Sequence, residues 1–187
     1  MLFSKETYMV RRQALSQRIK SGLIILMGNN LSPVNYPANA YRFRQDSSFL
    51  YYFGQHREGL VGVIDTDDNK EWLIGNDIDI EDIVWYGSVD CVSDLAAQVG
   101  VNQTAPMSDL QSICDKAKAS GREIHFLPPY RYDTKIQIMD LLGIHPNNQK
   151  ETASLALIKA VVKMRSTKEP QEIKAIERAC DVGYEMH

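Results

Sequence analysis

The chain has 187 residues, 44% hydrophobic and 24% charged, which is ordinary for a globular protein and long enough for one sizeable domain with the beginning of another. A net charge of −3 offers no electrostatic reason to expect nucleic acid as a partner. The longest strongly apolar run, Leu23 to Met27, is far too short to cross a bilayer, so no membrane partner is expected either.

The first residues, Met1 to Thr7, show no basic region leading into an apolar core, and no secretory signal is expected. Cys91, Cys114 and Cys180 are odd in number, widely spaced and without a Cys-x-x-Cys pair. They read as free thiols of a reducing, cytoplasmic setting and not as a zinc site.

Ser4 caps an expected helix with Glu6 in its first turn. Tyr8, Leu15 and Ile19 mark its apolar face until Ser21-Gly22 stops it, and Arg11, Arg12, Arg18 and Lys20 are assigned mostly to the opposite, solvent-facing side. Leu23 to Met27 follows as a buried strand ended by Gly28, and residues 29–37 read as a loop. The polar, doubly basic segment Arg42, Arg44, Gln45, Asp46, Ser47 then runs into Phe49-Leu50-Tyr51-Tyr52-Phe53, closed by Gly54. The aromatic run has strand length and no polar alternation, so it predicts a strand covered on both faces. Within the polar half, the plain reading is a surface loop in which Arg44 and Asp46 screen each other.

Gly59 to Asp65 and Glu71 to Gly75 flank a turn and predict a hairpin. Asp65-x-Asp67-x-Asn69 has the look of a calcium loop, but Lys70 stands where glycine is needed and Asn76 where a bidentate glutamate is needed. Asp77, Asp79, Glu81 and Asp82 alternate with Ile78, Ile80 and Ile83 and carry no histidine among them, which reads as a solvated acidic face and not a metal cluster. Helices are expected from Asp94 to Val99, from Asp109 to Ala119, and from Asp133 or Thr134 through Leu142, with a strand over Glu123 to Leu127 between the last two. Leu155, Ile158, Val162 and Met164 mark a further helix. After Pro170 the stripe Ile173, Ile176, Cys180, Tyr184 marks another, which reaches His187 without a terminator and reads as interrupted.

No catalytic residue is assigned. His56, His125, His145 and His187 occur at no spacing that suggests a triad or metal pair and read as surface or supporting residues, and no Gly-x-Gly-x-x-Gly or phosphate-loop lysine is present.

The segment containing Tyr41, Arg44, Gln45, Asp46, Ser47, Phe49, Tyr51 and Gly54 resembles the N-terminal domain signature of the creatinase/prolidase/aminopeptidase P family. Asp82-Ile83-Val84-Trp85-Tyr86-Gly87, Val161 to Arg165 and Lys168 to Ile173 resemble further stretches of the same family, in order along the chain. The resemblance implies an α/β fold of the creatinase/prolidase N-terminal type, a mixed six-stranded sheet flanked by helices in a ribonuclease H-like layout. Strands fall near 23–28, 48–53, 60–65, 71–75 and 123–127, with a sixth around Asp90-Cys91-Val92. It implies a domain over residues 1–165, with 166–187 starting a truncated C-terminal pita-bread metallopeptidase domain. That second domain would hold two divalent metal ions, manganese in aminopeptidase P, so this fragment binds no cofactor and is expected to be inactive alone. Implied partners are proline-containing peptides acted on by the parent enzyme, the chain's own C-terminal catalytic domain and further copies in a homo-oligomer. Trp85 and Tyr86 place two large amphipathic rings suited to a substrate-pocket or subunit contact, or else to core packing, and by the same resemblance Trp85 is the candidate to reach a neighbouring subunit's pocket. The implied activity is removal of an N-terminal residue that precedes proline. An Xaa-Pro dipeptidase shares the signature and the Gly62 to Asp65 strand, creatine hydrolysis is more distant, and a non-catalytic oligomerisation module is the alternative of another class.

Overall fold

The structure, a computed structural model, describes residues 2–78, 84, 87 and 89–187. Helix α1 (Lys5–Ser16) feeds strand β1 (Leu23–Met27), and β2 (Pro33–Tyr36) and β3 (Asn39–Ala40) form a small antiparallel hairpin beyond it. Helix α2 (Ser47–Phe53) precedes β4 (Val61–Asp65) and β5 (Lys70–Ile74). Then come α3 (Val92–Gln98), β6 (Gln103–Ala105), α4 (Leu110–Ala119), β7 (Ile124–Phe126) and α5 (Tyr132–Leu142). A single turn α6 (Gln149–Thr152) leads to α7 (Leu155–Ser166) and α8 (Pro170–Glu185).

The five-stranded sheet has the order β6-β5-β4-β1-β7. It is mixed: β4 lies antiparallel to β1 and β5, while β7 and β6 are parallel to β1 and β5 respectively. Pleating sends alternate residues of β1 to opposite faces. Ile24 and Leu26 pack with α1, α2, α3 and α7, whereas Leu23 and Ile25 pack with α4 and α5. Each such fully buried aliphatic side chain contributes about 1.5–3 kcal/mol of transfer free energy, which is why both faces must be covered.

Two expected strands are corrected. Residues 48–53 form α2, because both of its ends are capped. Asp46 Oδ1 accepts from the amides of Ser48 and Phe49 at 2.8 and 2.9 Å, and Gly54 closes the helix at φ +63°. A side chain at Gly54 would also strike the Tyr8 ring. The stretch around Cys91 is no strand but the N-cap of α3, and the outer strand on that side is instead β6, a short polar segment without an apolar run. Among the described residues the main sheet therefore has five strands, not six.

The basic residues of α1 are the third correction. Arg11 and Arg12 are 2% and 0% exposed, not solvent-facing. Arg12 donates Nε to Glu71 at 2.7 Å and its terminal nitrogens to the carbonyls of Tyr52 and Val99, so one guanidinium ties α1 to α2, β5 and the end of α3. Burial pulls the Arg12 pKa down and Glu71 pushes it back up.

Candidate functional site

The signature residues divide into structural pins and an exposed rim. Gln45, buried at the mouth of α2, accepts from the amides of Asn29 and Asp46 at 2.6 and 2.8 Å and donates to the Arg57 carbonyl at 2.7 Å. It thereby joins the end of β1 to the chain leaving α2. Asp46 uses one oxygen for the helix cap and accepts from the Tyr130 hydroxyl at 3.2 Å with the other. Phe49 is fully buried and stacks on Phe53 at 5.4 Å. Tyr51 packs under the Arg11 guanidinium at 4.0 Å.

The expected Arg44–Asp46 screening is not what the geometry uses. Asp46 serves the cap and Tyr130, whereas Arg44 is exposed beside Tyr41, Arg42 and Arg131 around a separate concavity of about 230 Å³. Tyr41 is 63% exposed, and its amide donates to the Ser32 carbonyl.

Ser47 is exposed on the first turn of α2 and faces a larger concavity of about 650 Å³, within the range of small-ligand sites. Phe3, Tyr8, Leu50, Tyr51 and Leu95 give it apolar walls, and Arg11, His56, Arg57 and Gln98 place polar groups along it. Val89 and Asp90 line one side. Arg57 braces that side, donating to the carbonyls of Asp90 and Asn76. Trp85 and Tyr86 lie outside the described residues, as do Asp79, Glu81 and Asp82.

The walls thus combine apolar side chains with hydrogen-bonding groups. Among the described residues no group of three or more His, Cys, Asp or Glu is placed to hold a metal ion. Asp65 and Asp67 of the calcium-like stretch are engaged in the turn: Asp65 accepts from the amides of Asp67 and Asp68 and from Arg122, and Asp67 accepts from Ser21 and Gly22. Hydrogen bonds from Ser21 and from the Gly22 amide hold the Asp67 carboxyl below its ordinary range. The cysteines stand as free thiols, half-buried at Cys91, buried at Cys114 and exposed at Cys180.

Of the two expected readings of His125, surface or supporting, the geometry gives the supporting one. His125 is 3% exposed, with Nδ1 2.7 Å from Ser154 Oγ and Nε2 2.9 Å from the Ser21 carbonyl. A carbonyl only accepts, so Nε2 carries the proton and Nδ1 accepts from Ser154. Ser154 Oγ in turn accepts from the Leu157 amide to cap α7. The pair is an internal strut between the chain before β1, β7 and α7, closed to substrate. Arg11 and Arg12 are polar residues that sequence reasoning misplaced. For the arginines a signal existed: Tyr8, Arg11 or Arg12, Leu15 and Ile19 continue one helical stripe.

Comparison with known proteins places this geometry. Residues 8–125 match the family model described as aminopeptidase P, N-terminal domain. The Xaa-Pro aminopeptidase of Escherichia coli strain K12 is 24% identical over 192 residues, covering 98% of this chain and 44% of its own length. Among solved structures, aminopeptidase P from E. coli in a low-pH form is similar with a TM-score of 0.75 at 22% identity, over 95% of this chain and 42% of its own. Pseudomonas aeruginosa aminopeptidase PepP gives a TM-score of 0.72 at 22% identity, over 92% and 40%. The chain thus spans less than half the length of these relatives.

Proposed function

The chain belongs to the aminopeptidase P N-terminal domain family, and on that footing we propose that it is the substrate-access and oligomerisation domain of a metal-dependent Xaa-Pro aminopeptidase, itself without catalytic residues. The observation that carries this reading is the family match across residues 8–125, in a chain that covers 44% of an Xaa-Pro aminopeptidase. Residues 1–165 are the domain proper, and 166–187 begin a second, catalytic domain. In support of that boundary, α8 buries none of its residues while Ile173, Ile176, Val182 and Tyr184 stand 46–85% exposed, an apolar surface that calls for a partner.

The solved relatives include a zinc-substituted E. coli aminopeptidase P in complex with product. For this protein we read two divalent ions, manganese in the working enzyme, held by residues of the second domain. In this reading the residues of this chain take no step of the hydrolysis itself. Their part is to bind and exclude: the concavity beside α2 shapes access for proline-containing peptides, and Trp85 with Tyr86 contacts the pocket or a neighbouring copy. Proline brings no amide N–H, so recognition rests on ring shape and apolar walls suit it. No helix among the described residues is long and apolar enough to cross a membrane, and the three free thiols support a cytoplasmic setting.

The test compares this chain with the longer protein carrying the second domain, each with manganese, on Xaa-Pro-Xaa tripeptides and Xaa-Pro dipeptides. The expected result is release of the first residue from tripeptides by the longer protein and no turnover by residues 1–187. Cleavage confined to dipeptides assigns a prolidase. Loss of turnover on both substrates assigns an oligomerisation module, and turnover by residues 1–187 alone overturns the proposed division of labour.

A further inference from the structure

Helix α8 is held at its root. Among the described residues, its side-chain hydrogen bonds and ion pairs to other elements come from Glu169, Gln171 and Glu172. Those residues form a capping box: the Glu169 side chain accepts from the Glu172 amide, and Glu172 Oε2 accepts from the Glu169 amide at 2.9 Å. The same two carboxylates face one guanidinium on α1. Arg11 lies 3.0 Å from Glu169 Oε2 and 3.5 Å from Glu172 Oε1, and donates its other terminal nitrogen to the Tyr51 carbonyl at 3.2 Å.

Arg11 is 2% exposed, and its guanidinium lies 4.0 Å from the Tyr51 ring centroid and 4.8 Å from that of Phe3. Tyr51 then donates its hydroxyl to the Met164 carbonyl at 3.3 Å, in the last turn of α7. A planar, permanently charged fork is suited to this position, because it can stack on a ring and reach a carbonyl and two carboxylates at once. The ion pair differs from a fully exposed one on the Arg11 and Glu172 side, where the side chains are 2% and 15% exposed, while Glu169, 38% exposed, is the partner that solvent screens.

We infer that Arg11 is a positioning residue whose guanidinium latches the capping box of α8 onto α1 and α2, and so fixes the direction in which the apolar stripe of α8 leaves the domain. The latch sits on one wall of the 650 Å³ concavity, of which both Arg11 and Tyr51 are part. If residues 166–187 open a catalytic domain, the latch sets where that domain stands over the concavity. That consequence rests on the proposed function, whereas the latch rests on this chain alone.

The measurement is a pulsed electron-paramagnetic-resonance distance distribution between spin labels on α1 and α8 of the 187-residue chain. Native Cys180, exposed on α8, takes one label. A cysteine at exposed Gln13 takes the other, with Cys91 changed to serine. The parent is expected to give one narrow distribution. Glu169→Gln/Glu172→Gln keeps amide oxygens for the capping box but removes the charge facing Arg11, and is expected to widen the distribution about twofold or more. Arg11→Met is expected to do the same. Where Arg11→Met fails to fold, the double glutamine variant, whose changes lie on a helix with no buried residue, decides. A distribution of unchanged width in that variant, with the melting curve retained, overturns the latch. Peptide hydrolysis does not enter this readout, so failure of the latch and failure of the proposed function are separately visible.

Discussion

Arg12 shows how much of this domain turns on single charged side chains placed where sequence patterning expects apolar ones. Its guanidinium is fully withdrawn from solvent and satisfies two carbonyls besides Glu71. Arg12→Met removes the charge but strands the Tyr52 and Val99 carbonyls and a Glu71 side chain that is 26% exposed. A loss of about 3 kcal/mol is expected in urea unfolding, from the unmet buried acceptors together with the broken pair. Arg18, exposed in the turn just after α1, with its guanidinium donating to the Ala14 carbonyl, sets the comparison. Arg18→Met is expected to stay within about 0.5 kcal/mol of the parent. Equal losses from the two variants would mean that Arg12 is no hub.

At the scale of elements, α2 is where local propensity and the final structure part. Phe49 to Phe53 is rich in residues that favour strands, and burial on nearly every side erases the polar alternation that would have revealed a helix. The decisive information sits at the ends, in Asp46 as N-cap and Gly54 as C-cap. Asp46→Ala leaves the Ser48 and Phe49 amides without their acceptor and releases Tyr130, and about 1–2 kcal/mol of stability is expected to go in denaturant titration. Asp46→Asn, which can still cap, is expected to recover most of it. β1, β4, β5, β7 and the helices α3, α4, α5, α7 and α8 were legible because each has either a short apolar run or a helical stripe, whereas the single turn α6 has neither and was not expected. β6 was not, since Gln103–Ala105 earns its place only through parallel pairing with β5, a contact no local pattern encodes. The candidate site was legible unevenly. Gln45, Asp46 and Phe49 stood out as a signature, but their division into pins and rim depends on Asn29, Arg57 and Tyr130, which are distant in sequence. Arg11 reaches its partners on α8 across more than 150 positions, and burial of that kind is a tertiary fact.

For the whole molecule, the sheet divides the core in two, and the α4 side offers a probe of global opening. Cys114 on α4 is fully buried among Leu23, Ile25, Val61, Val63 and Leu110, so its exposure requires α4 to leave the sheet. Burial pushes the Cys114 thiol up to about 12, with Lys118 opposing and Asp115 adding to the shift. In the unfolded chain a thiol titrates near about 8.5. Between these values the unfolded state has released its proton while the folded state retains it, so the folded state binds more protons and stability falls as pH rises. Below about 8.5 both states hold the proton and this contribution is fully present. Urea midpoints measured from pH 7 to 10 are therefore expected to be level at first and to decline above about 8.5. Cys114→Ala is expected to lower the whole curve by a cavity cost of about 1 kcal/mol and to flatten the decline up to pH 10. Burial also raises the Tyr52 phenol, whose unfolded titration near pH 10 is why the comparison stops there. A decline that persists unchanged in Cys114→Ala would place the alkaline sensitivity elsewhere, whereas a flattened one ties it to the thiol beneath α4 and makes that face of the sheet part of the cooperative unit.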